Sequence, residues 1–250
     1  MATVLSGTSG ALYYKPAATK ATFGESAVAV ATDEITVAAY LNFKVGDPVK
    51  FSVVNVNTGA AGTGTLPAGI TAGTTYYVIG YTAATGVMQV SATAGGSTIT
   101  ITDDGTAVSP NAFQVAYADY EAVGQVQNWS FEITRAEIDV TTIGQTAGQY
   151  APFRTYIPGF ADGSGSASVF ITDDDTTLAS RLVQDVLQAS QAGAAFKLYI
   201  DKLGTEALSR GIAFDATLLT ASFTVNPDDA QVVELTFRPT AAPTIDFAKS

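Results

Sequence analysis

The side chains available for chemistry are carboxylates, hydroxyls and amines, because the chain has no cysteine and no histidine. Carboxylates cluster at Asp103-Asp104-Gly105, Asp173-Asp174-Asp175 and Asp228-Asp229. Hard cations bind carboxylate oxygens, so each cluster has the donor type for a metal. Position argues for plainer roles. Asp173–Asp175 stands before Thr176-Thr177 and an apolar stripe of Leu178, Leu182 and Val186, with Val183 and Leu187 beside it. That spacing is one face of an α-helix. Carboxylates at a helix start accept from free N–H groups and complement the dipole. The other two clusters read as turns. Gly163-Ser164-Gly165 lacks the lysine and helix start of a phosphate loop. Ser164 and Ser166 have no histidine to activate them. No catalytic, cofactor-binding or metal site is expected. Tyr13-Tyr14 and Tyr76-Tyr77 have the rings for a glycan or interface platform, and core packing explains them equally well.

Composition narrows the classes further. The chain has 250 residues, 47% hydrophobic and 14% charged, which is ample for a packed core. Twelve basic residues face 23 acidic ones, for a net charge of −11. Gripping nucleic acid needs a basic footprint, and this balance opposes it. Lack of cysteine rules out disulfides and thiolate chemistry. No apolar run reaches the roughly 18 residues that span a bilayer. Met1–Gly10 lacks the basic and apolar regions of a secretory signal.

The elements that must position these residues are mostly strands. Residues 1–24 read as an N-terminal arm whose apolar cluster is Ala11-Leu12-Tyr13-Tyr14. Residues 25–118 read as a small β module, with strands at Ile35–Val37, Val45–Val53, Thr75–Ile79, Val87–Ser91 and Ile99–Thr102. The module holds Glu25, Asp33, Glu34, Asp47, Asp103 and Asp104 against Lys44 and Lys50. Residues 119–250 read as a second unit. It opens on the alternating run Val126–Val140, with Trp129, Phe131 and Ile133 on one face and Glu132, Thr134 and Ala136 on the other. So long a strand predicts a bulge near Arg135-Ala136. Gly144–Pro152 reads as a polar loop. Phe153–Phe160 and Ser166–Thr172 read as two strands broken by Asp162–Gly165. The helix is expected over about 176–192, closed by Gly193. Strands at 195–200, 211–214, 218–225 and 231–237 follow, with a turn at Asn226–Asp229. The fold class is mostly β, a sandwich or barrel with one flanking α-helix and an inserted all-β module.

Several of these segments carry a family resemblance. Val123–Phe131, the run Ile138-Asp139-Val140-Thr141-Thr142-Ile143-Gly144, Phe196–Ile200 and Ala221–Pro239 resemble the tail tube proteins of long-tailed bacteriophages, as does the Ala11–Tyr14 arm. The resemblance covers about residues 1–22 and 119–250. Its middle departs from the simple pattern, and Leu66–Val78 is similar to small β-modules of phage structural proteins. The resemblance implies a homo-hexamer whose rings stack into a tube around a channel for DNA. Tail terminator, tail tip and tape-measure proteins are the implied partners. DNA passes without specific binding, no membrane is involved, and the place is the virion tail, assembled in the host cytoplasm. Leu12, Tyr13 and Tyr14 are then the assembly candidates. Glu132 and Glu137 are the candidates for an acidic lumen that repels phosphate, and the bulge must intervene for both to point inward.

A surface β-protein that binds glycans or adheres stays open as the alternative. A carboxylate-only glycosidase needs a cleft with paired acids.

Overall fold

The computed structural model describes residues 9–124, 126–141, 154–170, 178–204, 208–224 and 231–247. It is mostly β, with two antiparallel sheets and one described α-helix. In chain order the strands are β1 (Ala11–Lys15), β2 (Lys20–Phe23), β3 (Val28–Ala29), β4 (Glu34–Thr36), β5 (Pro48–Asn55), β6 (Thr75–Thr82), β7 (Val87–Ser91), β8 (Asn111–Tyr117) and β9 (Glu121–Ala122). Then come β10 (Val126–Asp139), β11 (Tyr156–Phe170), the helix α1 (Leu178–Asp185), β12 (Ala195–Asp201), β13 (Arg210–Thr224), β14 (Val232–Pro239) and β15 (Thr244–Asp246). Asp173–Asp175, Gly144–Pro152 and Asn226–Asp229, read above as a cap, a loop and a turn, lie outside the described residues.

One sheet runs β10-β11-β14-β13-β12-β1-β9, with β15 added on β13. It folds back on itself through β13. The first half of β13 pairs with β12 (Ala195↔Asp215 to Asp201↔Arg210), and the second half pairs with β14 (Ala216↔Pro239 to Thr224↔Val232). The inner faces of the two halves meet on stacked rings: Phe196 on Phe237 at 4.4 Å between centroids and Phe131 on Phe214 at 4.7 Å. Leu12, Tyr14, Leu182, Leu198 and Leu235 fill the remainder of this core.

The second sheet, β2-β8-β5-β6-β7-β4-β3, has its own core around Ile35, Phe51, Val78, Met88 and Phe113. Its entry and exit strands pair directly, Lys20↔Ala116 to Phe23↔Phe113. β2, before the expected module start at 25, is thus part of this second sheet. Ile99–Thr102 is not a strand. The Ile101 N–H donates to the Asp33 carboxylate at 2.7 Å instead of to a ladder partner. The chain leaves the module on β8, which pairs with both β2 and β5.

Three other expectations change. Asp162–Gly165 does not break a strand: β11 is continuous over 15 residues. Gly163 and Gly165 are there for space. A Cβ on Gly165 would lie 2.2 Å from Phe237 Cε2, and one on Gly163 would lie 2.7 Å from Pro239 Cγ. Likewise β13 is one strand with an irregularity between Leu218 and Thr220. The helix ends at Asp185, well before 192. The Gln191 amide caps it, donating to the carbonyls of Asp185 (2.9 Å) and Gln188 (3.1 Å). Gly193, at φ 91°, turns the chain into β12. The long strand is present: β10 has 14 residues, and the register shifts between Arg135 and Glu137, with the extra residue on β11 rather than at Arg135-Ala136.

Because Gly165 leaves room for the Phe237 ring in the core, Gly165→Val should destabilise the fold by about 1–3 kcal/mol through overpacking. Chemical denaturation of the variant against the parent, followed by fluorescence, measures it. Gly124→Val, with open space around its Cβ position, is the control and should change little.

Candidate assembly surfaces and the latch beneath them

Strands β10, β11, β14 and the second half of β13 form a four-stranded sheet with one face on the core and the other in solvent. Direct cross-strand partners in an antiparallel sheet point to the same side. One row across the solvent face is Ser130↔Ser166↔Thr236↔Thr220, and the next is Asn128↔Ser168↔Glu234↔Ser222. Glu132↔Ser164 and Thr134↔Asp162 extend the face along the hairpin. Hydroxyls hydrogen-bond across it, Ser130 to Ser166 at 2.8 Å and Thr220 to Thr236 at 2.6 Å. Arg238 lies 3.8 Å from Asp162 as an exposed pair. The face is flat, short-chained and acidic.

Glu132 belongs to this face. Glu137 does not. Between Arg135↔Ala161 and Glu137↔Pro158 the extra residue sits on β11, so the alternation of β10 continues unbroken. Glu137 follows Phe131 and Ile133 on the opposite side. Asp162 and Glu234 are the other acids on the face with Glu132, and sequence reading missed both. Their cross-strand register depends on strands far apart in the chain.

Both lateral edges of this four-stranded sheet are open among the described residues. No described strand pairs with the outer edge of β10, nor with the outer edge of β13 beyond its pairing with β12, which ends at Asp215. Exposed apolar side chains accompany them: Ile133 and Ile138 on β10, Leu219 and Phe223 on β13. An unpaired edge this long and apolar is a template for another chain.

The Leu12–Tyr14 cluster sits elsewhere. β1 lies between β12 and β9, and Leu12 and Tyr14 are buried in this chain's own core. Tyr14 packs on Phe196. Only Tyr13 points outward, edge-on to Tyr199 at 5.2 Å. The segment Ala11–Lys15 is thus an interior strand and not a separable arm. Removing it would open the core.

Beneath these surfaces lies a buried polar network that sequence reading did not anticipate. Arg181 and Asp185, one turn apart on α1, are 4% and 0% exposed. The Arg181 guanidinium donates to both carboxylate oxygens of Asp47 (2.6 and 2.9 Å) and to the Asn42 carbonyl. Asp47 comes from the Gly46-Asp47-Pro48 turn of the module, where it also accepts from the Lys44 N–H at 2.9 Å. The Asp185 carboxylate accepts from Tyr14 Oη (2.8 Å), the Ala17 N–H (2.9 Å) and the Asn42 amide. Burial pushes the Asp185 carboxyl up from its ordinary range, against the pull of these donors and of Arg181. Burial and the adjacent Asp185 raise the Tyr14 hydroxyl strongly. Burial alone would lower Arg181, but its bonds and charge contact with Asp47 leave it raised. The network joins helix, β1 and module. The available signal was Arg181 and Asp185 at i, i+4, flanking the stripe residue Leu182.

Among the described residues, no group of three or more Asp or Glu is placed to hold a metal ion. No described helix is long and apolar enough to cross a membrane.

Arg181→Met should cost about 3–5 kcal/mol, because it leaves Asp47 buried without its partner. The double variant Arg181→Met/Asp47→Leu should recover much of that loss. A double-mutant cycle from urea midpoints checks it, and strictly additive single effects would contradict a coupled pair.

No family model matches the chain, and no curated protein does. Several solved structures share a low similarity with it, two of them from gene transfer agent particles. One is a chain of the virion of a native gene transfer agent particle, 14% identical, with half of this chain and 88% of that one covered and a TM-score of 0.39. The other is a chain of the tail of an empty gene transfer agent particle with C6 symmetry, 15% identical, with half of this chain and 85% of that one covered and a TM-score of 0.38.

Proposed function

We propose that this chain is a structural subunit of a phage tail tube, assembling as stacked hexameric rings around a channel through which DNA passes. The observation that carries the reading is the four-stranded sheet with two open edges and a hydroxyl-rich solvent face. A heterologous contact that pairs the β10 edge of one copy with the β13 edge of the next repeats around an axis and closes a barrel. Closure removes the exposed edges that otherwise invite uncontrolled pairing. The solvent face of the sheet then lines the interior. Among the described residues of this face, short hydroxyls and the carboxylates of Glu132, Asp162 and Glu234 surround one cation, Arg238, which lies beside Asp162. Each lysine–phosphate contact would add salt-dependent affinity and slow passage. The ring size of six and the terminator, tip and tape-measure partners come from the sequence resemblance.

The 20–118 module is an insertion in this reading. Its paired entry and exit strands leave the wall at one point, and it has a core of its own. Its role is decorative, outside the wall, and the Arg181–Asp47 contact holds it there.

Negative-stain micrographs of purified protein should show sixfold rings or tubes. Ile133→Lys combined with Phe223→Lys places charges on both edges and should leave a folded chain that makes neither. A wild-type protein that stays monomeric at all concentrations and binds sugars would instead favour an adhesion role.

Glu132→Lys with Glu234→Lys should assemble normally while making the tube retain DNA, seen as salt-reversible co-sedimentation. Glu137→Lys, on the other face, should not.

A further inference from the structure

The network that joins helix, first strand and module does not balance its charges. Two carboxylates, Asp47 and Asp185, share one guanidinium, Arg181, and all three residues are buried. Asp47 takes the guanidinium on both of its oxygens. Asp185 is left with neutral donors: Tyr14 Oη at 2.8 Å, the Ala17 N–H at 2.9 Å and the Asn42 amide. The groups packed around the network do not make up the difference. Lys44 of the module keeps its ammonium on the exposed side, 3.3 Å from Gln184. The Tyr117 ring of β8 stands 5.7 Å from the Arg181 guanidinium, and Glu121 on β9, hydrogen-bonded to the Tyr117 hydroxyl, is a further acid. Burial raises the Tyr14 and Tyr117 hydroxyls, so both stay neutral.

A buried charge without a counter-ion is costly, and a proton removes it. The site has a place for one. Asp185 Oδ2 accepts two bonds, whereas Oδ1 accepts from the Asn42 amide. An Asn amide turned over presents its oxygen, so Asn42 can accept from a protonated Oδ1 where it donates to an ionised one. Turning over gives up its 3.3 Å bond to the Ala17 carbonyl. That is a small loss beside the relief of a buried charge. Asn42 and Asp47 belong to the module, and Asp185 belongs to the helix on the sandwich. Separating the two would return the Asp185 carboxyl to water and to its ordinary range.

We propose that the junction between module and sandwich is a proton-linked latch, in which docking takes up one proton at Asp185, so that mild acid tightens the junction and rising pH loosens it. The direction follows from burial, which raises the Asp185 carboxyl above its ordinary range against the pull of its donors and of Arg181. Between the ordinary range and the raised one, the docked form holds the proton and the open form does not. Stability of the junction therefore grows as pH falls through that window, by up to about tenfold in the docking equilibrium per pH unit for one proton. The latch works within a single chain, so it stands with or without assembly.

Amide hydrogen exchange on the intact chain tests it. Two backbone bonds close the junction and report its opening: the Asn42 N–H donates to the Ala18 carbonyl at 2.9 Å, and the Thr19 N–H to the Ala192 carbonyl at 3.1 Å. Their protection, corrected for the intrinsic pH dependence of exchange, should rise as pH is lowered from about 8 to about 5, by no more than about tenfold per pH unit. Asp185→Asn, a permanently neutral replacement, should hold the protection level across the same range. Tyr14→Phe is the second variant, for the case in which Asp185→Asn does not fold. It removes a donor to the ionised carboxylate and should move the transition to higher pH. Protection that stays level or falls on acidification of the parent overturns the latch. So does the parent's pH dependence persisting in Asp185→Asn, or a transition left in place by Tyr14→Phe, since either assigns the proton to another group.

Discussion

The architecture depends on a buried exchange of charge between two sheets, each with its own core. Arg181 reaches from the helix to Asp47 in the module, and Asn42 reaches back to Asp185. Each sheet has its own hydrophobic core, so apolar burial alone would leave them as neighbours on a tether. Buried charges must be paired to be tolerated, and these groups find their partners only when the sheets sit in one relative position. The same carboxylate that meets Asn42 also takes the Tyr14 hydroxyl and the Ala17 N–H. The helix, the first strand and the module are therefore fixed together, and the faces they present are fixed with them.

The sandwich divides its polar groups by side chain as well as by place. On the hydroxyl face, short side chains pair with each other across strands and leave a low-relief surface. On the opposite face, long lysine side chains lie over aromatic rings. Between them the core rings stack in one layer, and Gly163 and Gly165 give that layer the width it needs under Pro239 and Phe237. Among the described residues, the edges of β10 and of the second half of β13 remain unpaired.

The sequence alone determined several things. Absence of histidine and cysteine removed imidazole and thiolate chemistry. Alternation from Val126 to Val140 marked a long strand, and its length called for a bulge near Arg135, which the structure places on the partner strand β11. The spacing of Leu178, Leu182 and Val186 marked a helix. These are local signals, in which periodicity within one element reports which side of it meets a core.

What only the tertiary structure decided involves residues distant in the chain. The buried roles of Arg181 and Asp185 depend on Asp47 and Asn42, more than 130 positions away. Leu12 and Tyr14 looked like contacts for a neighbour, and the fold placed β1 between β12 and β9 instead. β8 was not predicted, and its place is set by pairing with β2 and β5, far away in the chain. Glu132 and Glu137 stay on opposite faces because the bulge's extra residue lies on the partner strand and leaves the alternation of β10 unbroken. Glycines read as a break between two strands proved to be clearance for rings arriving from β14. In each case the residue's own neighbourhood in sequence carries the propensity. The partner that gives it a role is delivered only when distant elements pack, and burial then decides which polar groups must be satisfied.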